Sequence, residues 1–322
     1  MNRRGLIATT GSLALAGHAA AQPAWPDRAV TIVVPFGAGT APDLMARLAA
    51  PRLSARWGQP VVVQNVVGAA GVVGVERVAR AAPDGHTLVL PGDAAIVVRI
   101  SMTPRPPYDP QRDLAPIMLV GRTTNVLVVA SQTPYRSLAD IVAAARAQPG
   151  TITFGHAGTG TSQHIGGEML AQMAGVRLTG VAYNDLGAMA IDVQSGRVTM
   201  SLMGSVNALP RVRDGSLRAL GVSTPARFAA LPEVPSIAEQ GLPGFDASAW
   251  FGLYAPAGTP AAIVARINRD MRAALEQPEA RSRFDTLGVD LVAGTPEELA
   301  RTIATEIPRM RAVLRAAGVE GA

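Results

Sequence analysis

Residues 28–47 read Arg-Ala-Val-Thr-Ile-Val-Val-Pro-Phe-Gly-Ala-Gly-Thr-Ala-Pro-Asp-Leu-Met-Ala-Arg, and the fold class follows from them. Val30 to Val34 is a short, apolar, β-branched run, the pattern of a strand buried on both faces. Pro35 ends it, and Gly37-Ala38-Gly39 supplies a tight turn. Thr40 and Asp43 have the spacing of a capping box, with Asp in place of the usual Glu or Gln. Pro42 suits a first helical turn, where its missing N–H costs nothing. The stretch predicts a strand feeding through a glycine turn into a helix N-terminus. Free backbone N–H groups and the positive end of the helix dipole meet at such a junction and favour a carboxylate or phosphate.

A second junction follows the same plan. Thr151 to Phe154 reads as a strand, Gly155 to Ser162 as a turn rich in glycine and hydroxyls, and Gln163 to Ala174 as a helix. Two anion-friendly helix starts in separate halves of one chain suggest one ligand held between two lobes. Either turn alone also suits an ordinary βα connection of an α/β protein.

Working outward, the first helix runs to Trp57 with Gly58 as its stop. Val61 to Val63 reads as a buried strand, Val72 to Ala82 as a helix, and Thr87 to Leu90 as a third strand. This βαβαβ order predicts a parallel sheet with helices on both faces. Residues 91–116, broken by prolines, read as irregular. Strands are predicted at Ile117 to Gly121 and Val126 to Ala130, with residues 122–125 crossing between lobes. A helix is then expected at 138–148. Alternating strands and helices follow at 181–183, 187–194, 198–203, 208–213 and 217–223. Residues 232–244 read as a connector, Trp250 to Tyr254 as a strand returning to the first lobe, and 260–276, 279–287 and 296–317 as closing helices.

The chain has 322 residues, enough for two domains. Apolar residues make up 48% and charged residues 16%, so the composition supports a large core rather than disorder. Aromatics are only 4% and the net charge of +5 contains no basic run, which argues against nucleic acid as a partner. There is no cysteine, which excludes thiolate nucleophiles, iron–sulfur clusters and Cys-ligated zinc. There is also no lysine, which removes the Walker A lysine and a Schiff-base lysine.

Arg3 and Arg4, the short apolar run from Leu6 to Ala16, and Ala19-Ala20-Ala21 before Gln22 predict a signal peptide over residues 1–21, cleaved after Ala21. The apolar run, interrupted by Thr9, Thr10, Gly11 and Ser12, is too short to span a bilayer. The mature protein is expected to be exported and periplasmic.

Three enzymatic readings fail on spacing. Gly37-x-Gly39 after a strand invites a dinucleotide site, but the third glycine of that fingerprint would fall at Pro42. Ser162 and His164 are two apart on a helix and face different ways, and the pattern is not that of a nucleophile elbow. His86, His156 and His164 show no metal-ligand spacing, so neither cofactor nor metal is expected.

Val34-Pro35-Phe36-Gly37-Ala38-Gly39-Thr40-Ala41-Pro42-Asp43 resembles the V-P-F-x-A-G-G-x-x-D signature of the Bug family, the extracytoplasmic solute receptors of tripartite tricarboxylate transporters. The resemblance continues at Gly58 to Asn65, Ala82 to Leu88, Pro107 to Pro110, Gly158 to His164 (where the family reads G-x-G-T-S-Q-H), Leu231 to Ser236 and Trp250 to Pro260. It covers essentially the whole mature chain in order.

The resemblance implies an α/β, two-lobed type II periplasmic-binding-protein-like fold with a cleft between lobes. Residues 24–124 plus 246–322 would form one lobe and 125–245 the other. It implies a monomeric receptor that carries a small carboxylate solute to the membrane subunits of a transporter, held by Phe36, Ala38, Gly39, Thr40 and Asp43 of the first turn, Thr159, Thr161, Ser162 and Gln163 of the second, and Tyr183. A sensory receptor on the same fold and an exported enzyme using the same cleft are the alternatives.

The chain departs from the family pattern at Thr40, at Pro42, and at Asn184-Asp185-Leu186, where the family usually carries a lysine-glycine-glycine tract. Asp185, with Asp93 approaching from the other lobe, would suit a ligand bearing a cationic or donor group beside its carboxylate, such as an amino acid. Alternatively, Asp185 turns outward and caps the helix starting near Gly187.

Overall fold

A computed structural model describes residues 25–102 and 104–316; the expected signal peptide lies outside them. The first strand is β1 (Val30–Val34), whose Val30, Ile32, Val33 and Val34 are wholly buried. α1 (Ala41–Trp57) starts after Thr40 and stops at Gly58, whose left-handed backbone (φ 67°) lets its N–H reach the Ser54 carbonyl. β2 (Val61–Asn65) pairs parallel to β1 but is the sheet's edge, so Val62 is half exposed where burial on both faces was expected. α2 (Val72–Ala79) leads to β3 (Thr87–Val89), parallel to β1 on its other side.

The stretch expected to be irregular contains a π-helical turn, Ala94–Val98, and a 3₁₀ turn, Arg99–Ser101. Every residue of 94–98 is buried, so the sequence carries no polar face and hence no helical period to read. After α3 (Pro110–Asp113), capped by Asp109, come β4 (Leu114–Thr123) and β5 (Asn125–Ala130).

The second half builds α4 (Leu138–Ala147), β6 (Thr153–His156), α5 (Ser162–Ala174), β7 (Thr179–Ala182), α6 (Leu186–Gln194), β8 (Met200–Gly204), α7 (Ser205–Arg213) and β9 (Leu217–Val222). The chain then returns through β10 (Ala249–Pro256), α8 (Ala261–Leu275), α9 (Pro278–Leu287), β11 (Val289–Leu291) and α10 (Pro296–Ala316). The three-residue β11, an edge strand against β4, was not expected from sequence.

The strands form two sheets. One runs β11-β4-β10-β3-β1-β2 and draws on both ends of the chain; the other runs β7-β6-β8-β5-β9 and uses only its middle. Thr124 alone separates β4 in one sheet from β5 in the other. The outgoing and returning connections are tied side by side. Asn125 donates its N–H to Ser223 Oγ (2.9 Å) and accepts from the Ser223 N–H (2.8 Å), and its side-chain amide donates to the Ala247 carbonyl (2.6 Å). Among the described residues, no helix is long and apolar enough to cross a membrane.

Candidate functional site

A chamber of about 70 Å³ lies between the two sheets, bordered by the starts of α1, α5 and α7. Phe36 and Phe251 supply apolar wall; Thr40, Thr123, Asn125, Ser162, Gln163 and Asn207 supply polar groups. Phe36, Thr40, Ala157, Leu186 and Asn207 also border a wider mouth of about 650 Å³, so the two form one cleft.

At the first turn, Thr40 donates its hydroxyl to the Gly37 carbonyl (2.7 Å) and gives α1 no side-chain cap. The expected capping box is displaced by one residue, because Asp43 Oδ2 accepts from the N–H of Gly39 (2.9 Å) rather than that of Thr40. Asp43 Oδ1 accepts from the Asn65 amide (2.9 Å), and Arg47 Nε lies 3.0 Å from both oxygens. Burial opposes the charge, but Arg47, the Gly39 N–H and Asn65 outweigh it and hold Asp43 below the usual carboxylate range. Asp43 is therefore a strut of the turn. It does not border the cleft, contrary to its expected ligand contact.

The second turn is built alike. The Thr161 hydroxyl donates to the Gly158 carbonyl (2.7 Å) and accepts from the His164 N–H, which leaves it spent on the turn. Gln163 Oε1 accepts from the Ala157 N–H (3.1 Å), so its amide nitrogen is the end left to donate. Ser162 Oγ accepts from the Asn125 amide (2.9 Å), so its own proton is directed elsewhere. His156 and His164 accept at Nδ1 from the N–H groups of Gly158 and Gly160. Both stay neutral near pH 7. Burial lowers His156, and burial with His156 alongside pushes His164 down to about 4.

The third helix start was not recognised in the sequence. α7 begins at Gly204 with no side-chain cap, and Gly204 to Asn207 border the chamber. Its signal, a strand ending in Gly-Ser before a short helix, repeats the plan of the other two junctions. Asn125, Thr123 and Phe251 were also missed, since nothing local marks a crossing or a returning strand as cleft wall.

No arginine borders the chamber, so the dipoles of α1, α5 and α7 are what favours an anion there; Leu186, the start of α6, also borders it, but Asp185 caps that helix. Its one ionisable group among the described residues is Asp93. Burial pushes that carboxyl up to about 7 against the N–H of Ala94; Glu306 adds to the rise and Arg309 offsets it. Asp93 and Ser162 also border a second polar cavity, about 270 Å³, with Arg122, Asp246, Glu306 and Arg309.

Ala38, Gly39, Thr159, Tyr183 and Asp185 lie at the mouth rather than in the chamber. Tyr183 donates its hydroxyl to Asp192 (2.6 Å). Asp185 accepts from the N–H of Gly187 (2.7 Å) and caps α6. It is exposed, so the capping alternative holds.

Residues 45–319 match the family described as tripartite tricarboxylate transporter family receptor. Protein BugT of Bordetella pertussis is 36% identical, over 99% of this chain and 99% of that one. The solved structure of R. palustris Rpa4515 with adipate superposes with a TM-score of 0.87 at 33% identity, covering 91% of this chain and 98% of that one. MatC from Rhodopseudomonas palustris with bound malate gives a TM-score of 0.85 at 33% identity, over 90% of this chain and 100% of that one.

Proposed function

The chain belongs to the tripartite tricarboxylate transporter receptor family and is similar to a Bug protein, and on that premise we propose that it captures a small carboxylate-bearing solute between two lobes and delivers it to the membrane subunits of a tripartite transporter. Its family is one of solute-binding receptors, not enzymes. The observation that carries the ligand class is the convergence of three helix starts on a chamber without a cationic side chain. Dipoles and N–H groups neutralise a carboxylate without a fixed counter-charge, which suits a solute that must be released again. The adipate and malate in two relatives are both dicarboxylates, and they favour the same class here.

In this reading the lobes are residues 24–124 with 246–322, and 125–245, hinged at the paired connections around Thr124 and Ala247. Phe36, Thr40, Ser162 and Gln163 contact the carboxylate, with Ala38, Gly39 and Thr159 at the entrance. Thr161 and Tyr183 shape the loops, and Asp93 faces the bound anion. Residues 1–21 direct export, with cleavage after Ala21, and the mature receptor works as a periplasmic monomer.

The test is native mass spectrometry of protein purified from the periplasm, followed by a thermal-shift screen of mono-, di- and tricarboxylates and amino acids. A co-purified small acid that also raises the melting temperature is expected. If no carboxylate in the screen stabilises the protein, the ligand class is wrong.

A further inference from the structure

The cleft's positive potential is supplied inside by helix starts, but at its mouth by a side chain. Arg99, on the 3₁₀ turn after β3, borders the mouth and not the chamber. Its Nε is buried with no hydrogen-bond partner among the described residues, and the contact made by its guanidinium is with the Met102 sulfur at 3.9 Å. A buried guanidinium N–H without an acceptor is costly, and the side chain that carries it borders the mouth with no carboxylate paired to it among the described residues.

Arg99 is also held against the other half of the molecule. A Cβ built on Gly160 would lie 3.2 Å from Arg99 Cδ, so the arginine stem packs on the turn that starts α5. The same mouth is walled by residues 68–71, where Ala69 and Ala70 hold φ of 46° and 53°. Left-handed backbone at two successive alanines is strain of the kind retained at binding sites.

We propose that Arg99 is the distal subsite of this cleft and binds the second carboxylate of a dicarboxylate whose first carboxylate lies at the helix starts. The inference rests on the carboxylate reading above and narrows it. A chamber of about 70 Å³ holds a carboxylate head, and a longer ligand must extend into the mouth. There the planar guanidinium matches a carboxylate in a paired, charge-assisted geometry. Asp185, at the same mouth, is engaged in capping α6 and lies in solvent. Arg99 thus sets the preference for diacids over monoacids, while the chamber sets affinity for the first carboxylate.

Calorimetry on the mature protein, comparing straight-chain diacids from four to eight carbons with the monoacid of each length, tests this. The wild type should bind its preferred diacid about tenfold or more tighter than the matched monoacid. Arg99→Met should remove that difference while leaving the monoacid affinity within about twofold, which also shows that the variant is folded. Arg99→Lys should keep part of the preference. A diacid preference undiminished in Arg99→Met, or a wild type that does not distinguish the two series, would overturn the proposal while leaving the carboxylate reading intact. Failure of both series to bind the wild type would overturn the carboxylate reading itself, and this inference with it.

Discussion

Replacing Ser162 with alanine removes one oxygen from the chamber wall, and the surroundings show what that oxygen does. Ser162 Oγ accepts from the Asn125 amide at 2.9 Å, and the same amide nitrogen also donates to the Ala247 carbonyl at 2.6 Å. Loss of the hydroxyl therefore does not leave Asn125 without an acceptor, and the folding cost should stay within about 1 kcal/mol. Binding should suffer more. With one lone pair engaged by Asn125, the hydroxyl has its proton to give to the carboxylate. A hydrogen bond to a charged group is worth about 1.5–3 kcal/mol, or roughly 10- to 150-fold in Kd. Isothermal titration of the stripped protein with its preferred carboxylate measures the loss, and a thermal melt without ligand measures the folding cost. An affinity unchanged within about twofold, with the melting temperature also unchanged, would refute the reasoning and make Ser162 a bystander.

Asp93→Asn should flatten the pH dependence of stability between about 4 and 7. Asp93 titrates near 7 when folded and near 3.8 when unfolded, so the folded state holds the extra proton in that window and loses this advantage as pH rises through it. His164, lowered to about 4, acts with the opposite sign, so the difference between wild-type and variant melting curves is the measurement. For the same reason carboxylate affinity should fall as pH rises past 7 in the wild type and not in Asp93→Asn, as titrations at pH 6 and 8 would show. Ala70→Gly should stabilise the ligand-free protein by about 1 kcal/mol, because glycine adopts its φ of 53° without strain; denaturant melts that show no gain would put the strain elsewhere. Asp185→Ala should cost about 1 kcal/mol of stability through the lost α6 cap. It should leave carboxylate affinity unchanged, and a tighter carboxylate Kd in this variant would restore Asp185 to the ligand's field.

The strand, turn and helix of residues 30–57 could be read directly because each signal is local. β-branched residues favour the extended strand, Gly39 permits a φ of 77°, and Pro42 and Gly58 bracket the helix. The same holds for the second junction, and the ordered motifs carried the fold class with them. Locality is also where the reading stopped. Asp43 has capping-box spacing, yet its carboxylate pairs with Gly39, Arg47 and Asn65, and the last of these comes from a neighbouring strand. Val61 to Val63 looks buried in sequence, but a strand's position at a sheet edge is decided by its partners. Residues 94–98 gave no helical period because all their faces are covered. The chamber depends on contacts such as Asn125 with Ala247, 122 residues apart, which follow from strand order and from two connections tied together. Sequence thus determined that helix starts suited to an anion exist. Only the packing of two sheets decided that three of them meet at one point and that Arg99 stands at the mouth, because those distances are set by strand pairing between remote segments.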